Sequence, residues 1–165
     1  SLVTVPLWLN HNGTVTSDST IIHRGNFNSH GEKKELVKSL SDMIKVSNKN
    51  NTLILDARSY SRYLGTAKEP RPGLPSGHIP NSKSLPSSDL INKDGILKNK
   101  EELKLIFKNN KILQDDSIIA TCGSGVSACV ISLAYFTLGK FNVPIYDGSW
   151  TEWASSGQII AEGKN

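Results

Sequence analysis

The feature that most constrains this chain is a short apolar run that enters a glycine turn and leaves it as a helix. Ser117-Ile118-Ile119-Ala120 runs directly into Thr121-Cys122-Gly123-Ser124-Gly125-Val126-Ser127. Beyond the turn, Val126, Cys129, Val130, Leu133 and Ala134 mark a helix that stops at Gly139. An uninterrupted apolar strand has no polar face to turn to water, so it belongs inside a sheet covered on both sides. Thr52-Leu53-Ile54-Leu55 and Val143-Pro144-Ile145-Tyr146 supply two more strands of this kind. Between the strands lie helical stretches. Residues 31–46 place Leu36, Val37, Leu40, Met43 and Ile44 at helical spacing. Residues 99–110 open on Asn99, with Glu102 three positions on as its capping partner. Asp147-Gly148-Ser149 turns into a short aromatic helix, and residues 65–81 form a long loop rich in Pro and Gly. Strands alternating with helices predict an α/β fold, a doubly wound parallel sheet with helices on both faces.

A chain of 165 residues with 37% hydrophobic side chains can build one domain with a real core. No apolar run approaches the ~18 residues needed to span a bilayer, and no membrane partner is expected. Residues 1–29 are rich in Asn, Ser, Thr and Gly and read as an extended lead-in or linker. The chain opens on Ser1 and its only methionine is Met43, which reads as an excised or processed chain whose partner domain is absent. The net charge of +4 is uneven, +7 over residues 1–111 and −3 over residues 112–165. The lysines are spaced along helices and loops without interleaved aromatics, so they read as solvated faces and no direct nucleic-acid binding is expected. Cys122 and Cys129 are too few for a disulfide framework, and no Cys/His cluster suggests a metal. That usage suits a reducing compartment, cytosol or mitochondrial matrix.

In open parallel sheets ligands sit beyond the carboxyl ends of the strands, and Cys122 occupies such an end. Gly123 and Gly125 let the backbone curl tightly, so that successive N–H groups form an anion nest at a helix N-terminus. A thiol there is acidified, because the thiolate is the form that the nest stabilises. Cys122 is therefore read as a nucleophile or as the carrier of an anionic sulfur species. Cys129 is read as a small buried hydrophobe on the apolar side of the following helix.

The segment Ile118 to Cys129, IIATCGSGVSAC, resembles the active-site loop of rhodanese-type sulfurtransferases, specifically the C-terminal catalytic half of 3-mercaptopyruvate sulfurtransferases. Three further stretches agree: Leu55-Asp56-Ala57-Arg58 with Arg62-Tyr63, Ser76-Gly77-His78-Ile79-Pro80, and Tyr146-Asp147-Gly148-Ser149-Trp150 with Glu152-Trp153. The resemblance implies residues 30–158 as the catalytic rhodanese domain, residues 1–29 as the linker from a missing N-terminal rhodanese-like domain, and residues 159–165 as a tail. It implies that Cys122 takes a sulfane sulfur as a persulfide and passes it to an acceptor thiol, without metal or organic cofactor. The amides of Gly123, Ser124, Gly125, Val126 and Ser127 are then expected to cradle the sulfur. Mercaptopyruvate-type members carry Gly-Ser after the cysteine, where thiosulfate-using members carry basic residues. Gly123 and Ser124 are neutral, which argues for 3-mercaptopyruvate over a dianion, with Ser124 a catalytic auxiliary. Arg62 and Arg71 match the two arginines that hold the substrate carboxylate and carbonyl.

Asp56 and Arg58 read as a structural ion pair, since a buried carboxylate needs a partner. Trp150 and Trp153, one helical turn apart, read as packing the end of the domain, and by the resemblance His78 shapes a loop. His11, Asp18 and His23 receive no catalytic role. The implied acceptors are thioredoxin, cyanide or a protein thiol of a sulfur relay, and a fungal member feeding tRNA thiolation is one form the resemblance allows. Three alternatives stand beside this reading. A sulfur-relay docking module would have little activity alone, and a thiosulfate sulfurtransferase would prefer the other donor. A cysteine phosphatase would need an arginine at the end of the loop, where Ala128 stands.

Overall fold

The computed structural model describes residues 5–22, 24–29, 31, 33–49, 51–113 and 117–164. Five strands form one parallel sheet: β1 (Val37–Lys38), β2 (Leu53–Asp56), β3 (Ser82–Ser84), β4 (Ile118–Thr121) and β5 (Ile145–Tyr146), in the spatial order β1-β5-β4-β2-β3. The helices are α1 (Val5–Asn10), α2 (Leu40–Ser47), α3 (Tyr60–Tyr63), α4 (Ser87–Leu90), α5 (Lys100–Asn109), α6 (Ala128–Thr137) and α7 (Ser149–Ser155). Successive residues of a strand point to opposite faces, and the core divides accordingly. Leu55, Ile118 and Ala120 pack with Leu90 of α4, Leu103 and Phe107 of α5, and Ile131 and Ala134 of α6. Ile54 and Ile119 pack on the other side with Met43 of α2 and Trp150 and Trp153 of α7. This is the doubly wound α/β sheet that the alternating pattern predicts.

The strand order places the site. From β2 the chain crosses to β3 on one side, and from β4 it crosses to β5 on the other, so the direction reverses between β2 and β4. Asp56 and Thr121 are register partners at the carboxyl ends of these two strands. The segments after them, Ala57–Arg62 and Cys122–Ser127, therefore leave the sheet side by side at its switch point, the usual place for a ligand crevice.

The helix expected over residues 31–46 is shorter and begins later. Lys34–Leu36 form a 3-10 turn, Val37–Lys38 pair with β5, and α2 starts only at Leu40. The reason is the capping box, in which Ser39 accepts from the Asp42 amide and Asp42 accepts from the Ser39 amide. Val37 consequently lies exposed on an edge strand. The second capping box, Asn99 with Glu102, starts α5 where the sequence places it. Within the lead-in, Val5–Asn10 is helical rather than extended, and Trp8 Nε1 donates to the Thr14 carbonyl at 2.9 Å.

Cys129 is exposed, against the expectation of burial, and its thiol lies 3.5 Å from the Gly125 carbonyl. The core face of α6 is Ala128, Ile131, Ala134 and Tyr135 instead. Val126 also points outward, at 76% exposure. The helix is apolar nearly all round, so its sequence pattern carries no facing information. No described helix is long and apolar enough to cross a membrane.

Candidate active site

Cys122 follows β4 and is 1% exposed. Burial pushes its thiol up, but hydrogen bonds from the Ser127 hydroxyl and from the backbone N–H groups of Ser124, Ala128 and Ser127 outweigh that cost. The thiol is held below its ordinary value. Two of these amides open α6, whose N-terminal partial charge acts in the same direction. Cys129 behaves oppositely: although the residue is exposed, partial desolvation of its thiol, with Cys122 nearby, pushes it up.

The turn holds this shape because of its glycines and its neighbours. Gly125 has φ +79°, and a Cβ there would meet the Asp147 carbonyl at 3.0 Å. The Gly125 amide does not serve the thiol, since it donates to Ser149 Oγ at 3.0 Å. The carbonyls of Cys122 and Gly123 accept from the amides of Trp150 and Thr151 at 2.9 and 3.1 Å.

A cleft of about 370 Å³ opens over the cysteine, with Arg62, Glu69 and Arg71 on one side and Cys122, Gly123, Ser124 and Ser127 on the other. Arg62, on α3, donates through Nε and Nη2 to Glu69 at 3.1 and 2.5 Å. Its guanidinium abuts the turn, since a Cβ on Gly123 would lie 3.0 Å from Nη2. Glu69 is almost fully buried and also accepts from Arg58 at 2.9 Å. Arg58 in turn forks onto Asp56, with its closest contact 2.6 Å, reaches the Gly77 carbonyl, and stacks 4.4 Å over the Trp150 ring. The expected Asp56–Arg58 pair is thus part of a buried network. Arg71 is exposed and donates to Thr151 Oγ1 at 2.7 Å.

Of the residues singled out in the sequence, Cys122, Gly123, Ser124, Ser127, Arg62 and Arg71 converge on this cleft, while Gly125 and Val126 do not line it. Ser124 is exposed at the mouth. His78 is fully buried, bonded through Nδ1 to the Tyr63 carbonyl at 2.8 Å and stacked on the Tyr63 ring, a packing role. Trp150 and Trp153 are buried as expected. His11 and Asp18 are exposed in the lead-in, and His23 lies outside the described residues. Sequence reasoning missed Glu69, Ser149 and Thr151. Ser149 sits inside a stretch that carried the resemblance, but neither it nor the others has a motif that declares a role. No described group of three or more His, Cys, Asp or Glu side chains could hold a metal ion.

Residues 37–156 match the family described as the rhodanese-like domain. The chain is 37% identical over 160 residues to a 3-mercaptopyruvate sulfurtransferase of Mus musculus, covering 95% of this chain and 54% of the relative. It is 40% identical over 134 residues to a thiosulfate sulfurtransferase of the same species, covering 79% and 45%. Among solved structures, the 3-mercaptopyruvate sulfotransferase SseA of Escherichia coli matches with a TM-score of 0.71 at 34% identity, over 88% of this chain and 53% of that one. The chain thus spans about half the length of the curated relatives it matches. Parallel sheet, cysteine turn and family match coincide over the same residues, and the chain belongs to the rhodanese-like domain family.

Proposed function

We propose that this domain is a sulfurtransferase that takes a sulfane sulfur from 3-mercaptopyruvate onto Cys122 and passes it to an acceptor thiol. The observation that carries the reading is the acidified Cys122 thiol, facing a cleft whose other wall is arginine. The thiolate attacks the donor sulfur, the donor's carbon–sulfur bond breaks, and that electron pair leaves on carbon as the pyruvate enolate. The proton of the donor thiol ends on that carbon, giving pyruvate and a Cys122 persulfide anion. An acceptor thiol then attacks the outer sulfur, and Cys122 leaves as the thiolate. Ser124 at the mouth carries the proton between donor sulfur and enolate, and Arg62 and Arg71 hold the carboxylate and carbonyl. The amides of Ser124, Ser127 and Ala128 stabilise the sulfur charge.

Charge supports this donor. Asp56 and Glu69 balance Arg58 and Arg62, while no described carboxylate pairs with Arg71. The side chains around Cys122 thus sum to one positive charge, which the thiolate itself offsets, and each further negative charge on a donor is less easily accommodated. That suits the monoanion 3-mercaptopyruvate better than the dianion thiosulfate, and Gly123 and Ser124 add no further charge. The likeness to a thiosulfate sulfurtransferase keeps that donor as the second reading. We take residues 1–29 as a linker, residues 30–158 as the catalytic domain and residues 159–165 as a tail. Because the chain spans half of its relatives, we also propose that a second rhodanese-like domain completes the cleft, and that without it this half acts as a weak enzyme or a sulfur-relay docking module, as in tRNA thiolation. A reducing compartment, cytosol or mitochondrial matrix, suits the free thiols of Cys122 and Cys129. The test is pyruvate release from 3-mercaptopyruvate in the presence of thioredoxin. Release that disappears with Cys122→Ser supports the reading, and release unaffected by Cys122→Ser refutes it.

A further inference from the structure

Ser149 combines two features that seldom meet. It is fully buried, and it is one of four described non-glycine residues with positive φ, at +50°. A side chain in the left-handed region carries a cost that glycine avoids, and such strain persists where the surroundings make use of it. The use here is the hydroxyl. Ser149 Oγ donates to the Tyr146 carbonyl at 2.7 Å and accepts from the amides of Gly125 and Cys122 at 3.0 and 3.2 Å, with Thr121 Oγ1 at 3.3 Å. One proton and two lone pairs are all that a hydroxyl offers, so the Tyr146 carbonyl and the two amides already saturate Ser149, and the Thr121 hydroxyl is a longer, shared contact. Both amides belong to buried residues and have no other acceptor in the turn.

We infer that Ser149 is a positioning residue, whose hydroxyl ties both ends of the Cys122–Gly125 turn to β5 and thereby aims the amides of Ser124, Ser127 and Ala128 at Cys122 Sγ. The turn has only two fates for the Gly125 amide. With Ser149 as its acceptor the Gly125 amide is satisfied, and the amides of Ser124 before it and of Ser127 and Ala128 after it are left to face the sulfur. Without that acceptor the buried N–H must seek another carbonyl, and the cradle loosens. The backbone bonds from Trp150 and Thr151 to the Cys122 and Gly123 carbonyls hold the other edge of the same turn, so the start of α7 is a clamp with Ser149 at its centre. The inference rests on Cys122 as the reacting thiol and is independent of which donor it meets.

The experiment alkylates Cys122 with iodoacetamide across pH, in a Cys129→Ser background where Cys122 is the single thiol. Ser149→Ala removes the hydroxyl and keeps the Cβ. Ser149→Gly removes both and relieves the positive φ, so it is the variant that folds if the first does not. The expected result is a midpoint raised by roughly half a pH unit or more in both variants, with alkylation at pH values below the midpoint slowed about threefold or more, because less thiolate is present. A midpoint unchanged in Ser149→Gly overturns the inference, whatever Ser149→Ala does. The assay uses no sulfur donor, so failure of the donor assignment would leave its outcome untouched.

Discussion

Arg71 reaches the cysteine turn through Thr151: Nη1 donates to Thr151 Oγ1 at 2.7 Å, and that hydroxyl donates to the Gly123 carbonyl at 2.6 Å. Arg71, which lines the cleft, is thereby tied to the backbone of the cysteine turn. Replacing Thr151 with Val keeps the shape and removes both bonds. A hydrogen bond involving a charged group contributes about 1.5–3 kcal/mol. Because Arg71 still lines the cleft without that bond, the expected rise in KM for 3-mercaptopyruvate is about tenfold, with kcat within about twofold. Steady-state kinetics checks this, and a loss confined to kcat would contradict it.

Glu69 stands between Arg58 and Arg62, and its removal has two consequences. Glu69→Gln leaves the buried Arg58 with the carboxylate of Asp56 alone and the half-buried Arg62 with no described carboxylate partner. Breaking such a pair costs roughly 3–5 kcal/mol, which denaturant unfolding will show. The variant also gains a positive charge in the cleft, so the surviving activity should shift toward thiosulfate. An unchanged donor ratio would mean that Arg62 does not face the donor.

The parts of this site that the sequence made legible are those made of local pattern. The apolar β4 run, the glycine turn and the Asn99–Glu102 cap each declare themselves within a few residues. The 31–46 stretch misled because apolar residues at helical spacing continue across the Ser39 cap, and the two-residue strand Val37–Lys38 is too short to show a period of its own. Ser82-Lys83-Ser84 shows no apolar alternation, since β3 is an edge strand fixed by its backbone pairing with β2. Cys129 was misplaced because an all-apolar helix has no pattern to orient it. Glu69, Ser149 and Thr151 acquire their roles only when the 65–81 loop and the start of α7 fold back over the turn, a relationship of contact that spacing does not encode.

Gly123 and Ser124 set the charge after the cysteine, but they are not equally open to change. A side chain at Gly123 must displace the Arg62 guanidinium, 3.0 Å from the new Cβ, whereas Ser124 is exposed. Ser124→Lys is therefore the clean test. The thiosulfate-to-mercaptopyruvate ratio of kcat/KM is expected to rise at least about tenfold, from attraction of the dianion and from loss of the hydroxyl. An unchanged ratio would remove the charge argument for the donor.

The depressed Cys122 thiol fixes the sign of the pH dependence. Because the thiolate is the reactive form, sulfur loading should be present above the folded-state pKa and lost as pH falls through it, with a midpoint lower than that of an unperturbed cysteine. Folding linkage has the same direction: the stability contributed by the thiolate is complete above the unfolded pKa and is lost as pH falls through the folded one. Ser127→Ala removes a hydroxyl that donates to the sulfur, so its midpoint should move up. Single-turnover loading measured from pH 5 to 9 shows the shift, and a downward move would contradict the assigned bond.

The most direct test of the account is the intact mass of this chain after brief exposure to 3-mercaptopyruvate, beside thiosulfate and a Cys122→Ser control. The expected result is a gain of one sulfur atom that requires Cys122 and forms faster from 3-mercaptopyruvate. A sulfur gain retained in Cys122→Ser would contradict the account, and no gain from either donor would contradict transfer by this half alone and leave it the docking module.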